Sequence, residues 1–228
     1  MSTQTPDNVP EINNWNRLLE GKVAVVTGGG AGIGKAICEL FAEHGAHLEI
    51  AEIDPDRANK TTETILSDGG HVSSHIVDVR NKNEVDDFKE TVLARHGSID
   101  ILVNNVGDYR PLVRFLDSSP ESWKEMYDIN FHHLLLVTHA FLQSMIDGGG
   151  GSIINIHSVE GMRAYPSEPV YGALKAAANH FSTCLAAGYG RHGIRVNGIG
   201  VDLTQTPQVD YISGYEDVEN LWESWLQS

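Results

Sequence analysis

Lys22-Val23-Ala24-Val25-Val26-Thr27-Gly28-Gly29-Gly30-Ala31-Gly32-Ile33-Gly34 is the stretch that decides the fold. Its first six residues form an apolar, β-branched run of the length of a buried strand, and the glycines make a turn. From residue 33 to 44 the apolar positions Ile37, Leu40 and Phe41 then recur at helical spacing. A strand passing through glycines into a helix sets bare backbone beside the free N–H groups and positive dipole end of that helix, an arrangement suited to phosphate. The spacing is Gly-x-x-x-Gly-x-Gly. The dinucleotide fingerprint Gly-x-Gly-x-x-Gly does not fit, because Lys35 stands where its last glycine belongs.

The same alternation runs outward from this unit. Strands are predicted at 47–53, 72–77, 99–104, 153–158 and 194–199, and helices at 56–67, 81–96, 120–145 and 171–190. Each repeat has the length of a βαβ crossover, so the expected fold is α/β: a doubly wound, mostly parallel, Rossmann-like sheet with helices on both faces. Gly148 to Gly151 reads as a solvent-exposed connection, because both of its flanks belong to the pattern. Residues 1–20 are expected to form an arm that folds back through Trp15 and Leu18, and 21–228 a single dinucleotide-binding and catalytic domain. The last stretch, 211–228, reads as an acidic amphipathic helix carrying Trp222 and Trp225, with no seventh strand after it.

Composition narrows the function. The chain has 228 residues, 41% hydrophobic and 21% charged, an ordinary composition for a folded protein. A net charge of -15 argues against a partner held by its nucleic-acid phosphates. The start is polar and acidic, without a basic and apolar leader, so no membrane span and a cytoplasmic location are expected. Cys38 and Cys184 are expected to be buried free thiols. His132, His133 and His139 lack the i, i+4 spacing of a helical zinc site, and no metal is expected.

Two further signals carry chemistry. In Ile153-Ile154-Asn155-Ile156-His157-Ser158 the final serine falls at the carboxyl end of a strand, where open α/β sheets bind ligands. Tyr171 and Lys175 lie one helical turn apart on one face, so the ammonium favours the phenolate of a side chain that titrates near pH ~10 when free. By itself Tyr-x-x-x-Lys is a weak pattern. Glu52, 18 residues after Gly34 at the end of the second strand, stands where an acid bonds the ribose hydroxyls. It would repel a 2'-phosphate, and Ala31 supplies no arginine to receive one, so NAD is favoured over NADP. Asp54, two positions on and on the same strand face, is the alternative.

Taken together these residues resemble a short-chain dehydrogenase/reductase of the single-domain kind, over roughly residues 19–207. The motifs are Thr27 to Gly34, Glu52, Asp78-Val79, Asn104-Asn105-Val106-Gly107, Asn130, Ser158, and Tyr171 with Lys175. The resemblance implies a catalytic tetrad of Asn130, Ser158, Tyr171 and Lys175. It also implies a cofactor held by Gly28, Gly32, Ile33, Gly34, Glu52, Asp78, Val79, Asn104, Tyr171 and Lys175, with Thr206 near the carboxamide. The expected substrate is a small secondary alcohol or ketone, and the expected assembly a homodimer or homotetramer. Val106 stands for the family's usual Ala, and Val201-Asp202 for its usual Pro-Gly.

Asp108, Tyr109, Arg110, Glu160, Met162 and Arg163 are candidates for the substrate side, whereas His157, next to Ser158 on a strand, should face the other way. An acidic, aromatic lid at 202–225 hints at an apolar or ring-bearing substrate. The rival readings are an NADPH-dependent 3-ketoacyl reductase, a catalytically silent dinucleotide sensor, and a sugar-nucleotide epimerase or dehydratase, which needs a further substrate domain.

Overall fold

In a computed structural model of the chain, which describes residues 17–110, 113–164 and 169–210, six strands lie parallel in one sheet. They are β1 (Val23–Thr27), β2 (His47–Glu52), β3 (His71–Ile76), β4 (Ile101–Asn104), β5 (Gly151–Ser158) and β6 (Ile194–Val201), in the order β3-β2-β1-β4-β5-β6. The helices are α1 (Gly32–Glu43), α2 (Pro55–Ser67), α3 (Lys82–His96), α4 (Pro120–Tyr127), α5 (His133–Asp147), α6 (Pro169–Tyr189) and α7 (Pro207–Asp210). Strand order reverses between β1 and β4, which opens a crevice above their carboxyl ends. The expected helix at 211–228 and the fold-back of Trp15 lie outside the described residues.

Period-two alternation along the strands feeds two apolar layers. Val25, Leu102 and Ile153 point to one face and pack with Val85, Phe88 and Val92 of α3 and with Val137, Phe141 and Met145 of α5. Ala24, Val26, Ile50 and Val103 point to the other and meet Cys38 of α1 and Ile65 of α2. Each fully buried large side chain contributes roughly 1.5–3 kcal/mol, so these layers hold the strand ends, and the site above them, in fixed register.

Local chemistry sets the helix starts. Asp54 caps α2 by accepting from the N–H groups of Asp56 and Arg57, with Pro55 at the first helical position. Asn81 caps α3, and Ser119 caps α4 in a reciprocal box with Ser122.

Three expectations change. The helix predicted at 120–145 is broken by a π-helical turn, Asp128–His132, between α4 and α5. The cause is Asn130, whose Nδ2 donates to the Met126 carbonyl (3.1 Å), an oxygen that a regular helix gives to the backbone N–H of that same residue. Cys184 is exposed. The buried stripe of α6 runs through Lys175, Ala178, Ser182 and Leu185, and Cys184 lies off it beside His180. The glycines before β5 also do more than connect. Gly150 has φ +116, and a Cβ on it would stand 2.6 Å from the Gly193 carbonyl oxygen, so this turn is packed against the start of β6.

Candidate active site

The strand carboxyl ends enclose a cleft of about 790 Å³. Gly28, Gly32, Ile33, Glu52, Asp78 and Val79 line one part of it, and Ser158, Tyr171, Lys175 and Thr206 another. The two constellations read separately in the sequence therefore share one cavity.

On the glycine side, Gly32 takes φ +52, and a Cβ on it would meet Thr206 at 3.2 Å, so the loop after β6 folds over the turn. A Cβ on Gly34 would lie 2.1 Å from the Gly28 carbonyl oxygen. Only glycine lets the strand and helix come this close. Ala31 precedes α1 without a side-chain cap, and no acid occupies the first turn, so the helix's leading N–H groups and positive end are left for an anion. These features fit a dinucleotide pyrophosphate.

Glu52 is fixed at the adjoining wall. One carboxylate oxygen accepts from Gly30 N (2.9 Å) and the other from Ile53 N (3.0 Å) and Asp54 N (3.1 Å). Asp54 is committed to capping α2 and is not in the cleft wall, whereas Glu52 is. Asp78 grips Arg80 through two oxygens, and that hydrogen-bonded guanidinium lowers its pKa against the opposing effect of burial.

Ser158 ends β5. Its Oγ accepts from Glu160 N (3.2 Å), which leaves the hydroxyl proton to be donated elsewhere. Tyr171 lies in the first turn of α6, edge-on to Tyr109 at 6.3 Å between centroids, and the Tyr109 hydroxyl donates to the Gln208 carbonyl (2.9 Å). Lys175 Nζ is 5.5 Å from the Tyr171 ring centre. Lys175 is 4% exposed and makes no ion pair among the described residues. Burial pushes its pKa down to about 8. A Cβ on Gly107 would stand 2.8 Å from Lys175 Nζ and 3.2 Å from Asn130 Oδ1, so ammonium and amide flank one glycine.

Three residues of the expected set stand behind the wall. Asn130 clamps the loop after β4, accepting from Asp108 N (3.1 Å) and donating to Asp108 O (2.6 Å). Gly34 is buried in the turn. Asn104 is buried in a polar chain, donating to Thr138 Oγ1 (3.0 Å) and Asn155 Oδ1 (2.8 Å). The wall residue of that motif is Asn105, whose Nδ2 donates to the Thr27 and Gly28 carbonyls (3.0 and 3.2 Å) and ties the glycine turn to β4. Gln208, a second unanticipated residue of the cleft, donates to Gly107 O (3.1 Å). Its only sequence signal is its nearness to Thr206.

On the substrate side Asp108, Tyr109, Arg110 and Glu160 line the cleft, while Met162 and Arg163 are not in its wall. Arg163 instead pairs with Asp202 (3.1 Å), tying the turn after β5 to the Val201-Asp202 loop. His157 also borders the cleft, but its ring reaches α6, with Nε2 3.1 Å from Ser182 Oγ, and burial with the Lys175 charge lowers its pKa to about 4. His133 was weighed in the sequence only as a metal ligand. It is 1% exposed, backbone groups of Val106 and Ile129 lean on the ring without completing a well-aligned hydrogen bond, and burial takes its pKa to about 3. Among the described residues, no group of three or more His, Cys, Asp or Glu side chains is arranged so that it could hold a metal ion, and no helix is long and apolar enough to cross a membrane.

Comparison with known proteins gives a consistent result. The family model described as short chain dehydrogenase matches residues 22–216. A 3-oxoacyl-[acyl-carrier-protein] reductase of Chlamydia muridarum is 38% identical over 93% of this chain and 84% of its own. The structure of L-sorbose reductase from Gluconobacter frateurii, complexed with NADPH and L-sorbose, superposes with a TM-score of 0.84 at 32% identity, covering 93% of this chain and 81% of that one. That of a 7α-hydroxysteroid dehydrogenase, complexed with NADH and a 7-oxo bile acid, gives 0.77 at 33% identity, covering 81% and 72%.

Proposed function

Since this chain belongs to the short-chain dehydrogenase family, whose members are oxidoreductases that bind a nicotinamide dinucleotide, we propose that it moves hydride between NAD(H) and a small secondary alcohol or its ketone. The observation that carries this reading is the single cleft in which Ser158, Tyr171 and Lys175 share a cavity with the uncapped start of α1.

The nicotinamide, when bound, supplies or takes up the hydride. In oxidation Tyr171, as phenolate, takes the hydroxyl proton, and in reduction its phenol protonates the developing alkoxide. Lys175, charged below its lowered pKa of about 8, favours that phenolate. Ser158 donates its free hydroxyl proton to the substrate oxygen where charge builds. Asn130 positions water between Lys175 and solvent. Gly28, Gly32, Ile33 and Gly34 form the pyrophosphate cradle, Glu52 takes the ribose hydroxyls, and Asp78, Val79 and Asn105 border the adenosine half. Asn104 supports that border from behind, and Thr206 closes over the nicotinamide end.

The immobilised Glu52 carboxylate supports NAD over NADP, since a 2'-phosphate would meet an anion held by three N–H bonds. The second reading is an NADPH-dependent 3-ketoacyl reductase, favoured by the 38% identical reductase. Calorimetric affinities for NAD and NADP, with NADH absorbance followed over a panel of secondary alcohols, test both. Tenfold tighter NADP transfers the assignment to the second reading. NAD binding without turnover of any alcohol or ketone makes the protein a sensor. A homodimer or homotetramer built on α5 and α6 is part of the proposal, and light scattering checks it.

A further inference from the structure

The substrate wall of the cleft is made of charges that mostly answer one another. Asp108 holds Arg110 through Nε (2.9 Å) and Nη2 (2.5 Å), and Asp202 accepts from Arg163 Nη2 with both oxygens (3.1 and 3.2 Å). Glu160 differs. Neither of its carboxylate oxygens has a hydrogen-bond partner among the described residues, and Oε2 is shut away from solvent. A carboxyl group set in a cavity wall without a protein donor calls for an explanation.

The backbone of Glu160 fixes its place in the site. Its N–H is bonded to Ser158 Oγ (3.2 Å), and its carbonyl oxygen would stand 3.1 Å from a Cβ on Gly172, the residue after Tyr171. The main chain of Glu160 is therefore held beside Ser158 and next to the residue that follows Tyr171, and Ser158 and Tyr171 are the two residues given the reacting hydroxyls in the reading above. Burial foremost raises its pKa, Arg163 opposes this and Asp202 adds to it.

Resting on the dehydrogenase reading above, we propose that Glu160 is a specificity residue that accepts a hydrogen bond from a second hydroxyl of the substrate, so that the preferred substrates are polyols or sugars. A site whose acceptor is satisfied only by a substrate hydroxyl discriminates strongly against analogues lacking it. An amino alcohol fits less well. Among the described rim residues Arg110, Arg114 and Arg163 match Asp108, Glu160 and Asp202 in number, so they give an ammonium no local excess of acid.

The test compares wild type, Glu160→Gln and Glu160→Leu with NAD, using ribitol, sorbitol, cyclohexanol, 2-butanol and an amino alcohol, with NAD affinity by calorimetry as the check on folding. Wild type should favour a polyol over cyclohexanol by at least about tenfold in kcat/KM. Glu160→Leu should lower that ratio about tenfold or more, chiefly through the polyol KM, and Glu160→Gln, which keeps an acceptor oxygen, should fall between. A wild-type preference for the monofunctional or amino alcohols, or a ratio unmoved in Glu160→Leu, overturns the proposal and leaves the dehydrogenase reading standing. Absence of turnover with every substrate in protein that binds NAD removes that reading, and this inference with it.

Discussion

One backbone hydrogen bond sets the chemistry of Ser158. Because Glu160 N–H occupies an Oγ lone pair, the hydroxyl proton is left to be donated, and in the proposed reaction it goes to the substrate oxygen. Ser158→Ala should therefore lower kcat by roughly 10²–10³, the usual loss for one oxyanion donor. Tyr171→Phe should abolish turnover while calorimetry still shows NAD binding within about twofold of wild type, and normal turnover by that variant would refute the proton-transfer role. Glu52→Ala should reduce the NAD-over-NADP preference at least tenfold, a change of about 1.4 kcal/mol. At this scale the sequence was partly legible. Helical spacing puts Tyr171 and Lys175 on one face, and the glycine turn, Glu52 and Ser158 elsewhere in the chain are what give that weak pattern its weight. Asn104 and Asn105 did not sort themselves, since identical neighbours at a strand end are told apart only by the register of β4 against β1. That Asp54 caps α2, and so stands apart from Glu52, was likewise hidden in two acids two positions apart.

The elements that aim these side chains were legible wherever hydrophobic period and cap chemistry coincide. Asp54, Pro55, Asn81, Ser119 and Pro120 all mark real helix starts. The π-helical turn was not legible, because one inserted residue leaves the apolar spacing of 120–145 almost unchanged and its cause is a side-chain bond, from Asn130 to the Met126 carbonyl. That bond gives a prediction about an element. Asn130→Ala frees Asp108 and the Met126 carbonyl together, and leaving such buried groups unmatched costs about 1–3 kcal/mol. Thermal unfolding should show the loss, and kcat should fall with it as the Gly107 loop beside Lys175 loosens. Asp54→Ala serves as the contrast, costing about 1 kcal/mol through the lost cap of α2. Its kcat should be unaltered, which steady-state kinetics can check.

Across the whole molecule, acid should be more damaging than the ordinary carboxylate range suggests. His133 and His157, kept neutral by burial down to about 3 and about 4, take up protons near 6.5 once the chain unfolds. Unfolded chains thus bind more protons below pH 6.5, and stability falls progressively from there. Glu49 adds to this at lower pH. It is 2% exposed, with His75 at 2.5 Å, His96 at 2.7 Å and Arg95 at 2.7 Å. Burial alone would raise its pKa, but the hydrogen bonds of His75 and His96, with the charges of His75 and Arg95, outweigh this and lower it. Its contribution, full above the ordinary 4.5, is lost as pH drops through the depressed folded value. Melting temperatures measured from pH 7.5 to 4 should decline less steeply in His133→Leu than in wild type, and an equal slope would remove His133 from this account. The parallel, doubly wound sheet followed from the alternation of βα units, whereas how deeply His133 and His157 are buried is a property of the assembled sheet.

Gly198 of β6 lies directly under the His157 imidazole, where a Cβ would stand 2.2 Å from both Cδ2 and Nε2. The two positions therefore share one volume. Any bulk gained at 198 must be surrendered at 157, so in descendants of this gene the pair should drift in concert, with the Asn155–Ser182 hydrogen bond as bystander. Gly198→Ala should be harmful by itself and tolerated once His157→Ser has vacated the space.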